Sequence, residues 1–277
     1  MFKYQYILFV CSFLSITACN GQTQSTKEIP TENLKTIKTE HKMKIEIWGD
    51  VMCPFCYIGK RNFETAMAQF ADKEDIEIIW KSYQLDPTIP EVANETYEDY
   101  LVKRKGISLE QAKSTLANVT QSAKQAGLDY HFDKALMVNS LKAHQLIQFA
   151  KTKNLGNEAE ERLFKAFFTE GKNIADITTL TQLGKEIGLD EQELQVAFTD
   201  EKYAQLVKND IQEAQQIGVS GVPFFVIDRK YAVSGAQPPQ AFLETLEKSF
   251  AEWRKLNPKS QFEVIEGQSC TTDGKCE

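Results

Sequence analysis

Histidine is scarce in this chain, with three residues in 277. His41 falls in a polar stretch, His131 in a polar loop, and His144 on a helix face with Leu141 and Ile147. That face suits a core or cleft-wall role for His144 better than catalysis. No spacing among these residues suggests a metal site. Basic charge is not in excess either: 32 Lys and Arg stand against 39 Asp and Glu, a formal net charge of −7. Without a basic stripe there is no case for nucleic acid as a partner. Internal repeats are absent, and the one long uncharged apolar run, Tyr4 to Ala18, is short for a membrane span. Cysteine is sparse, at six residues, so where those six fall carries most of the information.

The run Tyr4 to Ala18 follows Lys3 and ends Leu14-Ser15-Ile16-Thr17-Ala18-Cys19. A basic start, an apolar stretch and small residues before a cysteine make residues 1–18 a targeting segment. The junction resembles the bacterial lipobox, which implies cleavage before Cys19 and a lipid on its sulfur. An ordinary secretory signal or an uncleaved anchor are the other readings. Residues 19–42 are polar, without aromatics, and should form a disordered tether. Its random-coil reach is about 25 Å. The expected location is the cell envelope of a bacterium, lipid-anchored and facing the periplasm, an oxidising compartment where disulfide exchange has work to do.

Cys11 leaves with the signal and Cys19 is taken by lipid, so two pairs remain: Cys53 with Cys56, and Cys270 with Cys276. The first pair stands in Cys53-Pro54-Phe55-Cys56, between an alternating strand pattern, Lys44 to Trp48, and a helical pattern from Tyr57 to Met67. Pro54 suits the first helical position, where its missing N–H costs nothing. Cys53 then sits at the helix N-terminus, where orphan N–H groups and the positive dipole end favour a thiolate. It should be the more exposed and the more acidic of the two. The alternatives are half a zinc site, completed by Cys270 and Cys276, and an inert disulfide.

The remaining pattern gives a second strand at Asp75 to Tyr83, then a long helical region. Its helices run from Thr96 to Lys105, from Ser108 to near Gly127, and over Asn139 to Lys153, Glu158 to Thr169 and Asp176 to Ile187. Ser108 with Gln111 makes a capping box. Asp190 with Glu193 caps a short helix, and Asp200 to Ile217 is a long one. Strands return at Val222 to Ile227 and Tyr231 to Ser234, and Pro238 or Pro239 opens a last helix through Trp253.

That order, with Cys53-Pro54-Phe55-Cys56 after strand one and Gly221-Val222-Pro223 before strand three, resembles the DsbA-like branch of the thioredoxin superfamily. Asp50-x-x-Cys53-Pro54-x-Cys56-Tyr57-x-Gly59, Gly218-Val219-x-Gly221-Val222-Pro223-x-Phe225 and Asn139-Ser140-x-x-Ala143-His144 are similar to segments of its FrnE group. The resemblance covers about Met43 to Trp253. It implies an α/β, thioredoxin-like fold with a large inserted helical domain. The thioredoxin-like part would be residues 43–90 and 218–254, the insertion 91–217, and the tail 255–277. It also implies a cis Val222–Pro223 bond facing the sulfurs, whose missing N–H leaves the preceding backbone free for an extended substrate.

The implied activity is thiol–disulfide exchange on client proteins, with Cys53 attacking, Cys56 resolving, and Val222, Pro223, Pro54 and Phe55 holding the client. No dissociable cofactor or metal is required, and an unidentified redox partner recycles the pair. Two departures stand out. The buried acid that relatives carry six residues before the first cysteine is Ile47 here, and adjacent Glu46 points to the opposite face. Deprotonation of Cys56 then falls to water, Asp50 or another group. Pro54-Phe55 also lacks the histidine of strong oxidants, so a potential nearer the isomerase range is expected. Other classes remain open: a glutathione-dependent isomerase or transferase, and a non-catalytic binding lipoprotein. Cys270 and Cys276 are either a clasp on the tail or a second redox pair exchanging with the first. Some members of the resembling group carry such a pair.

Overall fold

A computed structural model describes residues 41–92 and 95–258. The chain begins with β1 (Met43–Gly49), α1 (Pro54–Gln69) and β2 (Ile76–Ser82), joined by a short 3₁₀ turn. Seven helices follow: α2 (Tyr97–Lys105), α3 (Leu109–Gln125), α4 (Leu141–Lys151), α5 (Gly156–Phe168), α6 (Ile177–Glu186), α7 (Glu191–Thr199) and α8 (Glu201–Gln216). The hairpin of β3 (Phe224–Ile227) and β4 (Tyr231–Ser234) and a last helix, α9 (Pro239–Leu256), complete it.

Local signals account for most helix ends. Ser108 accepts the Gln111 N–H while the Gln111 side chain returns to Ser108, and Thr96 with Asp99 makes a second capping box. Asp176, Asp190 and Asp200 cap α6, α7 and α8. Gly106 closes α2 at φ 68°, a left-handed conformation that costs glycine little.

The four strands lie in the order β2-β1-β3-β4, with β1–β2 parallel and the other two pairings antiparallel. Strand alternation sorts β1 onto two faces. Met43, Ile45 and Ile47 join Phe63, Phe225, Phe242 and Leu246 in a core under α1 and α9. The Phe225 and Phe242 rings meet there at 4.6 Å and 67°, one of the tilted geometries aromatic pairs prefer. Trp48 faces the other way, packs with Ala214 and Val219, and donates its indole N–H to the Asp210 carbonyl at 2.9 Å. Glu46 shares that second face and pairs with Arg229, as alternation requires.

A second core belongs to the helices, built on Leu163, Phe164, Phe167 and Phe168 of α5. It also takes in Val51, Met52, Cys53, Cys56, Tyr57 and Ile58. Helix α1 therefore works in two places. Its middle fastens it to the sheet, and its first turn is held by the helical block. His41, which the sequence assigns to the tether, stacks on Trp253 of α9 with ring centroids 6.0 Å apart.

Candidate redox site

Cys53 is the N-cap of α1, with extended backbone at φ −84° and ψ 112°, and Pro54 is the first helical residue. The Cys53 N–H donates to the Asp50 carbonyl at 2.9 Å, and the Cys56 N–H to the Cys53 carbonyl at 3.0 Å. The turn thus stacks both sulfurs at one helix end, and both are free thiols. Cys53 is the more exposed of the two, as expected, but only at 4% against 1% for Cys56. Tyr97 of α2 and Tyr130 lie against the turn and help bury it. Burial pushes the Cys56 thiol well up, and the adjacent Cys53 sulfur adds to this. The Asp50 N–H pulls the other way, and the Asp50 carboxylate charge raises it further.

The Val222–Pro223 bond is cis, as the resemblance implied. The Cys53 thiol donates to the Val222 carbonyl at 3.4 Å. The loop can lie this close because residue 59 is glycine. A Cβ there would stand 2.9 Å from Pro223 Cγ and 3.5 Å from Ala236 Cα. Pro54 is half-buried, and Phe55 is the outward residue, 45% exposed. Phe55, Ile58, Ala126 and Pro238 help line a cleft of about 500 Å³ between α1, the end of α3 and the start of α9.

Two tyrosines from the helical block hold the turn on either side of Cys53. Tyr97 donates its hydroxyl to the Met52 carbonyl at 3.0 Å, and Tyr130 to the Pro54 carbonyl at 2.7 Å. Burial holds both phenols well above their ordinary range, so they stay O–H donors. Sequence reading did not find them, since nothing local ties a tyrosine to a backbone carbonyl 45 or 76 residues away.

Behind the sulfurs lies a set of buried ionisable groups. The Asp50 carboxylate accepts the Met52 N–H at 3.3 Å and the Leu85 N–H at 2.8 Å. His144 Nε2 stands 3.4 Å from Asp50 Oδ1, and both side chains are fully buried. Burial alone would push His144 down, yet the Asp50 carboxylate, then the Glu160 and Asp210 charges, outweigh it and hold the imidazole above its usual range. Glu160 of α5 is 1% exposed, and neither of its carboxylate oxygens has a hydrogen-bond partner among the described residues. Burial pushes it up to about 7, against the opposing pull of His144, Lys60 and Lys151. Lys60 is buried too, and pairs with Glu161 at 3.0 Å and with Glu64.

The structure thus brings Cys53, Cys56, Pro54, Phe55, Val222 and Pro223 together. Cys19, Cys270 and Cys276 lie outside the described residues.

The family model of the DSBA-like thioredoxin domain matches residues 44–247. A solved structure of a probable DsbA oxidoreductase from Streptomyces coelicolor is 32% identical, with a TM-score of 0.72, covering 85% of this chain and 98% of that one. The uncharacterized protein YwbO of Bacillus subtilis is 29% identical over 189 residues, which is 66% of this chain and 86% of that protein. The cytosolic disulfide reductase DsbM of Pseudomonas aeruginosa is similar in fold, at 16% identity and a TM-score of 0.55, covering 76% of this chain and 99% of that one.

Proposed function

The chain belongs to the DSBA-like thioredoxin family and is a thiol–disulfide oxidoreductase, and from that premise we propose that Cys53 and Cys56 carry the exchange on client proteins. The carrying observation is the Cys53 sulfur at the α1 N-terminus, 3.4 Å from the Val222 carbonyl, with Cys56 one turn behind it. In the reducing direction the Cys53 thiolate attacks a client disulfide, and the client's other sulfur leaves as a thiolate. Cys56 loses its proton and attacks the Cys53 sulfur. The Cys53–Cys56 bond forms, the mixed disulfide breaks, and two electrons have passed to the client. Run backwards, the same steps oxidise a dithiol.

The Phe55 cleft and the Val222 carbonyl hold the client segment in this reading. A backbone N–H of an extended client can replace the Cys53 thiol on that carbonyl, and an apolar side chain can lie on Phe55. Both sulfurs are present, which favours disulfide exchange over a glutathione-dependent isomerase.

The test is an insulin-reduction assay together with a titration of the Cys53/Cys56 potential against glutathione. Turnover and a potential near the isomerase range, about −180 mV, are expected. No turnover, with a potential far below that of glutathione, would make the site inert.

The anchor is part of the same proposal: a lipid on Cys19 and a tether over residues 20–42 hold the domain at the bacterial envelope, facing the periplasm. Labelling with a palmitate analogue should be lost on Cys19→Ala. Labelling that survives the change removes the anchor from the reading.

A further inference from the structure

With Ile47 in the place of a buried acid, β1 presents no carboxylate to Cys56 from the sheet side. Three facts mark where the charge comes from instead. First, the backbone beside Cys56 is that of Gly49 and Asp50. A Cβ on Gly49 would stand 3.6 Å from the Cys56 sulfur, and the charge on the adjacent Asp50 carboxylate raises the Cys56 thiol. Second, the Asp50 carboxylate is sealed in and fixed by two backbone N–H groups, so it cannot swing away from the turn. Third, His144 is the ionisable side chain at contact distance from it, at 3.4 Å and 0% exposure. Neither imidazole nitrogen makes a hydrogen bond among the described residues. The ring has one charged neighbour in contact and no other polar use.

Resting on the reading that Cys56 resolves the mixed disulfide, we propose that the Asp50–His144 pair governs that resolving step. With the imidazole protonated, the pair carries no net charge toward the Cys56 sulfur, and the thiolate can form. With the imidazole neutral, the fixed Asp50 carboxylate stands uncompensated and opposes the thiolate. His144 is thus a positioning residue for charge that acts through Asp50.

The remaining ionisable groups around the pair come from each packed element. They are Tyr97 and Tyr100 on α2, Glu160 on α5 and Asp210 on α8, with Lys60 on α1 and Lys151 on α4 acting on Glu160. Glu160 is buried and interacts with His144, so the two must be separated by experiment. Resolution needs a Cys56 thiolate, which pH increases, and the His144 cation lets that thiolate form at lower pH than the uncompensated carboxylate would. The rate therefore rises with pH throughout and flattens where His144 loses its proton.

The experiment uses the mixed disulfide of Cys53 with thionitrobenzoate, prepared at low pH in the full chain and jumped to a series of higher pH values. Cys56 gives up its proton to solvent, attacks Cys53, and releases the coloured thiolate. A profile that rises with pH and flattens midway is expected for the parent. His144→Gln should be slower by on the order of tenfold on the acid side, one pKa unit's worth of thiolate, and should approach the parent's rate on the alkaline side. Glu160→Gln should keep the flattening.

Equal slowing of His144→Gln at every pH, or no slowing, overturns the proposal, as does loss of the flattening in Glu160→Gln alone. If His144→Gln does not fold, Asp50→Asn decides: it should release faster than the parent at alkaline pH and lose the flattening, and an unchanged profile overturns the proposal. Failure of the parent itself to release the label, or release from Cys56→Ser, would instead overturn the assignment of Cys56 as the resolving sulfur.

Discussion

Cys56→Ser is expected to leave the protein covalently joined to its clients, while Cys53→Ser ends both turnover and joining. The effect is all-or-none because the two sulfurs have separate tasks. In Cys56→Ser the sulfur at the helix N-terminus remains and still attacks a disulfide. The serine hydroxyl in the next turn is far too weak an acid to supply an anion at neutral pH, so the mixed disulfide persists. In Cys53→Ser the remaining sulfur is Cys56, 1% exposed and held well up by burial. It has neither the access nor the charge to start the reaction. Non-reducing electrophoresis of client mixtures, followed by mass spectrometry of the adducts, reads the outcome. Adducts with Cys53→Ser and none with Cys56→Ser would reverse the assignment.

Glu160→Gln is expected to stabilise the protein at pH 8 and to change it little near pH 4.5. Glu160 is an ordinary carboxyl in the unfolded chain, with a reference value of 4.5, and is pushed up to about 7 by burial in the folded one. Between those values the folded state holds a proton that the unfolded state has released. Stability therefore falls as pH rises through that window, and above it the full penalty is present. A difference of that size corresponds to about 3 kcal/mol. Glutamine has nearly the same shape and is neutral throughout, so it removes the slope. His144 carries a slope of the same sign, since its folded value is raised, and its stabilising share is lost as pH climbs above the ordinary histidine range. The comparison is therefore between parent and variant at each pH, by urea unfolding at pH 5 and pH 8. Parallel pH profiles would count against a buried, strained Glu160.

The residues that the sequence placed well are those whose partners are near in the chain. Cys53 and Pro54 announce a helix start because the strand before and the helix after lie within a few residues. Ser108 with Gln111 and Asp190 with Glu193 specify helix ends by themselves. The α5 stripe at Leu163, Phe164, Phe167 and Phe168 is core, as its spacing indicates. His144 shows the limit. Its helix face was legible and its burial followed, but Asp50, 94 positions earlier, is brought to it only by how α4 packs behind the redox turn. Glu160 and Lys60 were illegible for a related reason. Charged residues on amphipathic helices ordinarily face water, and nothing local distinguishes those that do not. Cys53 is the more exposed cysteine, as its place at the helix N-terminus implies, but how deeply the turn is buried was not legible. The lids over it, Tyr97 and Tyr130, come from distant segments.

The pairing of β1 with β3 has a consequence for the order in which the molecule can assemble. Ile45 meets Ile227 and Trp48 meets Phe224, so the central strand waits for a partner on the far side of eight helices. Pairings of such long range slow folding, because the loop must close before the contact rewards it. During synthesis at about 5–20 residues per second, the interval between the two strands is roughly ten to thirty-five seconds. Throughout that interval the cysteine turn exists without the Val222 carbonyl that faces it in the finished fold. The nascent chain thus has its cysteine turn before it has the cis-proline loop that faces it. The segment that ends this stage is the short hairpin near the C-terminal end of the domain.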